Sequence, residues 1–182
     1  MPKLIVCLTG MPGAGKSTIA AGLQKMGLES INMGDAVRAE AKRRNLEPSS
    51  QNLGKIMLDL REKNGQGAVA ELIKDQIANS KSDVVVIDGV RSNAEIDVLK
   101  SIAPVKMLAI HASTDTRFTF LSSRKRSDDP SDRRTFDERD TREIGVGISA
   151  SIALADETIS NNNMTIDQLI QTAYNTINKW LK

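Results

Sequence analysis

The sequence predicts an α/β fold, a three-layer α/β/α sandwich in which helices cover both faces of a parallel five-stranded sheet. Three observations support this prediction. Strand-like and helix-like segments alternate from one end of the chain to the other. Two strand-like segments, residues 4–8 and 84–87, are uniformly apolar, as expected for strands that helices cover on both faces. The chain has 182 residues, 40% of them hydrophobic, which suits a single domain over residues 1–182.

The predicted strands are short runs rich in apolar residues and bounded by turn residues. They cover residues 4–8, 29–33, 84–87, 105–110 and 157–160. In a parallel sheet the carboxyl ends of the strands lie at or near one edge, and ligands bind in the crevice outside that edge. The residues that follow these strands are therefore the first candidates for chemistry.

Between the strands, apolar residues recur at helical spacing. The predicted helices cover residues 16–26, 35–44, 53–60, 68–79, 94–102, 116–124 and 149–154, with an amphipathic helix at residues 166–181. In the helix of residues 68–79, four apolar side chains share one side, and we expect all of them in the core. They are Val69, Leu72, Ile73 and Ile77.

The composition argues against several classes of protein. The single cysteine, Cys7, lies inside the first predicted strand, so neither an internal disulfide nor a cysteine-based metal cluster is expected. No segment approaches the roughly 20 apolar residues that span a bilayer, and we expect a cytoplasmic protein. A net charge of +2, from 25 basic and 23 acidic side chains, makes nucleic acid an unlikely main partner. His111 ends the fourth strand, where a structural or exposed role is favoured over catalysis.

A glycine-rich motif stands between the first strand and the first helix. The segment Gly10-Met11-Pro12-Gly13-Ala14-Gly15-Lys16-Ser17 fits the pattern G-x-x-x-x-G-K-[ST] of a P-loop. In this context successive backbone N–H groups surround an anion, and the helix that continues through Thr18 adds its partial positive charge. Lys16 is expected to reach the terminal phosphates of a nucleoside triphosphate, and the Ser17 hydroxyl to hold Mg²⁺. The fold class is then that of the P-loop NTPases.

Asp88 follows a buried apolar strand and is the second candidate for Mg²⁺. A carboxylate in this position orients Mg²⁺ or its water shell in P-loop proteins. The alternative is a carboxylate that only caps Gly89 and the turn after it.

Further segments resemble the nucleoside monophosphate kinase group of P-loop proteins, which includes adenylate kinase and dephospho-coenzyme A kinase. Gly34-Asp35-Ala36-Val37-Arg38 matches the G-D-x-x-R segment of adenylate kinases, and Asp88-Gly89-Val90-Arg91 is similar to D-G-x-x-R with one residue fewer. Arg126-Ser127-Asp128-Asp129 is similar to the lid of that family, and Ile159-Ser160-Asn161 to its adenine-side loop. Taken whole, the chain most resembles the archaeal adenylate kinase related proteins.

The resemblance implies roles for the acceptor side of the site. Residues 34–80 would form an acceptor-binding helical segment, in which Arg38 and Arg91 grip an acceptor phosphate. Two roles stay open for Asp35. If the acceptor is a hydroxyl, as in dephospho-coenzyme A, Asp35 resembles the catalytic base. If the acceptor is a monophosphate, no base is needed, and Asp35 orients Arg38 or caps its helix.

The resemblance also implies a helical lid over residues 116–147. Arg124 or Arg126 would cover the donor nucleotide, while Arg139 and Arg142, three apart on one helical face, would both point at the transferring group. Residues 127–132 would form a mobile tip, with the glycines at 145 and 147 as a hinge. The alternative is a solvated pair of helices laced by salt bridges, because acidic residues are interspersed throughout.

Three functions are compatible with these residues. The favoured one is a kinase that moves the γ-phosphate of ATP, with Mg²⁺, to a nucleotide or nucleotide-like small molecule. The others are an ATPase switch in ribosome or RNA assembly and a nucleotide-binding regulator with little turnover. A GTPase is disfavoured because no N-K-x-D segment follows the fourth strand.

Overall fold

The computed structural model describes residues 1–124, 126 and 129–182. In this part of the chain the strands form one parallel sheet in the order β2-β3-β1-β4-β5. They are β1 (Leu4–Thr9), β2 (Glu29–Asn32), β3 (Val84–Asp88), β4 (Val105–His111) and β5 (Glu157–Ser160). The predicted α/β class and the parallel five-stranded sheet are confirmed. After β1 the chain leaves for the edge strand β2, so a crevice opens at the carboxyl end of β1.

Helices cover both faces of the sheet. They are α1 (Lys16–Lys25), α2 (Met33–Arg43), α3 (Ser50–Asn64), α4 (Ala68–Glu71), α5 (Lys74–Ala78), α6 (Asn93–Lys100), α7 (Thr114–Arg124), α8 (Arg133–Gly145), α9 (Ile148–Ala153) and α10 (Ile166–Trp180). Alternate side chains of β1 enter different cores: Ile5 and Cys7 pack on the side of α2–α6, and Val6 and Leu8 on the side of α1 and α10. Among the described helices, none is long and apolar enough to cross a membrane.

Cys7 is fully buried in β1, and burial raises the pKa of its thiol far above the usual range. His111, the last residue of β4, is exposed. Both side chains therefore lie where the sequence predicted, one in the core and one at the surface.

Two element predictions are wrong in detail. The helix predicted over residues 68–79 is split into α4 and α5, and Leu72, at the break, is 42% exposed instead of buried. Val69, Ile73 and Ile77 keep the four-residue spacing and stay in the core, while the break turns Leu72 outward. The second helix begins at Met33 and not at Asp35, because the Asn32 side chain already accepts the first amide hydrogen bonds.

A buried ion pair ties α3 to the start of α6. Arg61 Nη2 donates to Glu95 Oε1 at 2.7 Å, and the two side chains are 3% and 0% exposed. The other Glu95 oxygen accepts from the Arg91 backbone N–H at 2.7 Å and the Ser92 N–H at 3.2 Å. Glu95 thereby fixes the loop after β3, which carries Arg91.

We expect Glu95→Gln to lower the free energy of unfolding by about 3–5 kcal/mol, because it leaves Arg61 as a buried charge without a counterion. Urea denaturation measures this change. The control is Asp83→Asn, which breaks the Lys3–Asp83 pair, where both side chains are about 70% exposed. That change should stay below about 1 kcal/mol. Equal effects of the two substitutions would contradict the structural role of Glu95.

Candidate functional site

The loop between β1 and α1 is closely surrounded by the rest of the fold. Gly10 has φ +143°, and a Cβ there would lie 2.2 Å from the Ile110 carbonyl oxygen. Gly15 has φ +110°, and a Cβ there would lie 2.6 Å from Asn161 Nδ2. Asn161 is buried and its Nδ2 donates to the Ala14 carbonyl at 2.9 Å. The positive φ angles and the lack of space for a Cβ require glycine at positions 10 and 15, and the Asn161 hydrogen bond fixes the loop from the side of β5.

Lys16 bends back over this loop. Its Nζ donates to the Gly10 carbonyl at 2.6 Å and to the Met11 carbonyl at 3.1 Å. Desolvation lowers the pKa of Lys16 to about 8. Four charged side chains act on this ammonium: carboxylates that raise its pKa and arginines that lower it. They are Asp88, Glu143, Arg91 and Arg139.

Asp88, at the end of β3, joins the loop to the neighbouring strand. It is 2% exposed, and its Oδ2 accepts hydrogen bonds from Ser17 Oγ at 2.8 Å and Asn32 Nδ2 at 2.9 Å. A hydroxyl and a carboxylate oxygen in contact are hard ligands that suit Mg²⁺. The two residues predicted to hold the metal are thus adjacent, and their donor set fits that ion.

Asn32 is a site residue that the sequence analysis missed. Besides its bond to Asp88, its Oδ1 accepts from Gly34 N at 2.7 Å and Asp35 N at 3.3 Å, which caps α2. The interpretation of Asp35 as the helix cap is therefore wrong. Asn32 stands directly after the apolar Ile31 at the carboxyl edge of the sheet, and that position was the signal that could have identified it.

The acceptor-side residues predicted from the sequence lie beside this edge. Arg38 Nη1 is 2.7 Å from Asp35 Oδ1, and the Asp35 side chain is 74% exposed. Arg91 donates from Nε to Glu143 Oε2 at 2.6 Å and from Nη1 to the Gly89 carbonyl at 3.0 Å. Glu143 is 3% exposed, and the Arg91 charge helps to hold its pKa below the ordinary value. Glu143 was also missed, since it is one acid among many in a charged helix.

Arg139 and Arg142 lie three residues apart in α8, and both line a smaller cavity beside the main one. Arg139 lines the main cavity together with Lys16. In the smaller cavity, Arg142 Nη2 donates to Ser50 Oγ of α3 at 3.3 Å. Arg142 Nε is buried, without a hydrogen-bond partner among the described residues. Both arginines therefore reach one cavity, as a spacing of three residues on one helical face allows, and their action on a single transferring group stays a prediction.

Arg124 and Arg126 also line the main cavity, and Asp129 links this segment to Arg139 of α8, whose Nη1 lies 3.8 Å from Asp129 Oδ1. Arg124 donates from Nε and Nη2 to the two carboxylate oxygens of Asp129. The backbone N–H of Arg126 donates to Asp129 Oδ2 at 2.7 Å. The other two residues of the resembling lid segment, Ser127 and Asp128, lie outside the described residues. Gly145 is the last residue of α8, and Gly147, with φ +99°, precedes α9.

Ion pairs are frequent in α7 and α8, as the alternative for this region predicts. Arg133 pairs with Asp115 at 2.8 Å and Arg134 with Glu138 at 3.0 Å, both exposed. Arg139 differs from these because it lines the cavity. The helix pair thus combines a surface laced by salt bridges with a face that reaches the site.

The main cavity has a volume of about 1110 Å³, enough for a nucleotide. One end is lined by charged residues around the glycine-rich loop, namely Lys16, Asp88, Arg91, Arg139 and Glu143. The rest of the lining includes Arg124 and Arg126 and several apolar or aromatic side chains, namely Phe120, Leu121, Met164 and Ile166. A ligand that fills it would have a polyanionic end and a flat or apolar end.

Comparison with known proteins identifies the family of this chain. A family model described as an AAA domain matches residues 9–137. The chain is 42% identical over 164 residues to the UPF0200 protein of Thermococcus onnurineus, covering 87% of this chain and 89% of that protein. It is 37% identical over 187 residues to the UPF0200 protein of Methanocaldococcus jannaschii, covering 98% and 95%.

Solved structures show the same fold at low sequence identity. TT1252 from Thermus thermophilus has a TM-score of 0.73 and 15% identity, with full coverage of both chains. The shikimate kinase of Acinetobacter baumannii in complex with shikimate has a TM-score of 0.61 and 14% identity, covering 98% of this chain and 94% of that one. A sugar kinase from Janibacter has a TM-score of 0.55 and 19% identity, covering 98% and 95%. The chain belongs to the UPF0200 protein family, carries the AAA domain, and has the fold of the P-loop kinase superfamily.

Proposed function

We propose that this protein is an ATP-dependent small-molecule kinase. The donor ATP binds residues 10–18, residues 34–80 bind a nucleotide or nucleotide-like acceptor, and residues 116–147 act as the lid. The observation that carries the proposal is the continuous main cavity, in which Lys16, the Ser17–Asp88 pair and Arg139 share one end. The kinases among the structural neighbours support the same reaction class.

Ser17 and Asp88 would hold Mg²⁺ in this proposal, since their oxygens are in contact and Asp88 is buried. When bound, Mg²⁺ neutralises charge on the donor phosphates. The contacts of Asp88 with Ser17 and Asn32 favour this role over a carboxylate that only caps the turn at Gly89.

Transfer of the γ-phosphoryl group requires positioned cations more than an elaborate nucleophile. The acceptor oxygen forms a bond to the γ-phosphorus while the bond to the β–γ bridging oxygen breaks, and ADP leaves with that electron pair. A monophosphate oxygen is already ionised and loses no proton, whereas a hydroxyl acceptor would give its proton to Asp35. Lys16 exchanges the carbonyls of Gly10 and Met11 for phosphate oxygens, and Arg139 approaches from α8. Both cations stabilise the negative charge on the group in transit.

The acceptor is held by Arg38, Arg91 and Arg142 in this proposal. They line the smaller cavity together with apolar side chains of α2 and α3. The Asp35–Arg38 ion pair favours the orienting role of Asp35 over that of a base, because its Oδ1 already contacts Arg38 Nη1 at 2.7 Å. Arg124 and Arg126 then cover the donor nucleotide in the main cavity.

The direct test is a γ-phosphate transfer screen with radiolabelled ATP and Mg²⁺ against nucleoside monophosphates, dephospho-coenzyme A, RNA and water. Labelled nucleotide or coenzyme product supports the proposal. Transfer to water alone would favour the ATPase switch, and transfer to RNA would contradict a small-molecule acceptor.

We expect Lys16→Ala to lower ATP turnover by at least about a hundredfold, because the group in transit loses a positioned cation. Steady-state phosphate transfer measures this. Lys3→Ala, at an exposed pair far from the cavity, is the matched control and should retain turnover. Urea unfolding of both variants verifies the fold, and normal turnover in Lys16→Ala would refute the site.

We expect Arg38→Ala to raise the acceptor KM or lower kcat by about tenfold or more, while the ATP KM changes less than about twofold. Arg43→Ala is the matched control, since Arg43 is on the same helix, 72% exposed and paired with Glu40. An equal weakening of ATP and acceptor would assign Arg38 to the donor side instead.

We expect ATP binding near pH 8 to take up protons. The free protein has a Lys16 pKa of about 8, and a bound polyanion raises it, so the affinity falls as pH rises above that value. Calorimetry in two buffers of different ionisation enthalpy measures the uptake. The uptake should disappear in Lys16→Ala, and its persistence there would assign the proton to another group.

A further inference from the structure

Arg117 is a buried cation of α7 that the transfer reaction proposed above does not use. It is 5% exposed, and its Nη1 donates to the Pro12 carbonyl at 3.0 Å. The two terminal nitrogens of its guanidinium donate to Asp140 of α8, Nη1 to Oδ1 at 2.9 Å and Nη2 to Oδ2 at 2.6 Å. Bidentate arginine–carboxylate pairs fix orientation as well as distance. Arg117 therefore joins the β1–α1 loop to helix α8 by directed hydrogen bonds.

The same guanidinium contacts α8 at a second point. Its Cζ lies 4.9 Å from the centroid of the Phe136 ring, which is fully buried. Phe136 and Asp140 are four residues apart and share one face of the helix. Two contacts one turn apart restrict rotation of α8 about its own axis.

A neighbouring face of α8 lines the main cavity. Arg139 and Glu143, again four residues apart, are on this face, and Arg139 precedes Asp140 directly. The helix backbone is rigid, so the orientation of Asp140 determines where the Arg139 side chain starts. Neither Arg117 nor Asp140 is among the described residues that line the two cavities.

The hydrogen bond to Pro12 acts on the loop itself. A trans peptide is planar, so the Pro12 carbonyl and the Gly13 N–H point in opposite directions. Arg117 holds the carbonyl from the α7 side, where a Cβ on Gly13 would lie 2.7 Å from the Arg117 backbone oxygen. The Gly13 N–H is therefore directed away from α7, and Gly13 lines the main cavity.

We propose that Arg117 is a positioning residue that couples the phosphate loop to helix α8. It holds the Gly13 amide toward the bound phosphates and, through Asp140 and Phe136, sets Arg139 against the same phosphates. Asp140 neutralises its charge, so Arg117 acts through its neighbours and not as a ligand of the nucleotide. This inference rests on the proposed kinase function.

The first test is a double-mutant cycle of Arg117→Met and Arg139→Ala in the phosphate transfer assay. We expect Arg117→Met alone to lower kcat by about tenfold or more, with the ATP KM changed less than about threefold. In the Arg139→Ala background the same change should lower kcat by no more than about threefold, because the part that acts through Arg139 is already lost and only the part that acts through the Gly13 amide remains. Asp140→Asn, which keeps the shape and removes the charge, should behave like Arg117→Met and serves if that variant does not fold.

Arg133→Met is the matched control. Arg133 also lies against the Phe136 ring, at 5.4 Å, but it is 46% exposed and its ion pair is with Asp115. Its removal disturbs the same helix without the bond to Pro12. We expect kcat to stay within about twofold of the wild type.

The second test does not depend on turnover. Amide hydrogen exchange is measured with and without a non-hydrolysable ATP analogue and Mg²⁺. In the wild type the analogue should protect both the loop, residues 10–15, and α8; in Arg117→Met or Asp140→Asn the protection should be confined to the loop. Arg133→Met should keep protection in both segments.

The outcomes separate this inference from the function on which it rests. If the wild type transfers phosphate and the effects of Arg117→Met and Arg139→Ala on kcat multiply, the coupling is overturned and the kinase assignment stands. Protection of α8 that survives in Arg117→Met overturns the coupling as well. If the analogue protects neither the loop nor α8 in the wild type, both the coupling and the kinase function are refuted. If the analogue protects both segments but no phosphate transfer is found, only the kinase function is refuted.

Discussion

The carboxylate of Asp88 is the contact on which the arrangement of the site depends. The parallel register sets Asp88 beside Asn32 of β2 and beside Leu8 of β1, so three strands end together. From there the Asp88 side chain accepts hydrogen bonds from Ser17, in the first turn of α1, and from Asn32, which caps α2. One buried oxygen thus connects the start of the phosphate-side helix with the start of the acceptor-side helix.

Charge in the site is balanced in pairs rather than accumulated. Arg91 is matched by Glu143, and Arg117 by Asp140. Because these four side chains are largely buried, an unmatched charge among them would carry a large desolvation penalty. Arg142 is different, since its hydrogen-bonding partner is the neutral hydroxyl of Ser50. Among the described residues, the smaller cavity between α8, α3 and α2 is therefore lined by more arginines than carboxylates.

The sequence was most informative where a local pattern coincides with a rule of the fold. The glycine-rich motif and Asp88 could be predicted because each follows an apolar strand at the carboxyl edge of a parallel sheet. Asn32 obeys the same rule, but Asp35, which stands in a matching motif and is an equally common type of cap, drew the assignment away from it. The buried positions of Glu143 and Arg117 could not be predicted, because buried and exposed ion pairs are formed by the same residue types and look alike in the sequence. Leu72 shows the limit of periodicity, since the short break between α4 and α5 leaves no mark in the apolar pattern.

The inert thiol of Cys7 makes the molecule convenient for spectroscopy. Cys7 is the single cysteine of the chain, it is fully enclosed in β1, and its thiolate form is strongly disfavoured. A second cysteine engineered onto the surface of α8 would thus be the one thiol open to a maleimide dye or spin label, with no need to replace the native residue. Distances from such a probe to a labelled nucleotide would then follow the movement of α8 in otherwise unaltered protein.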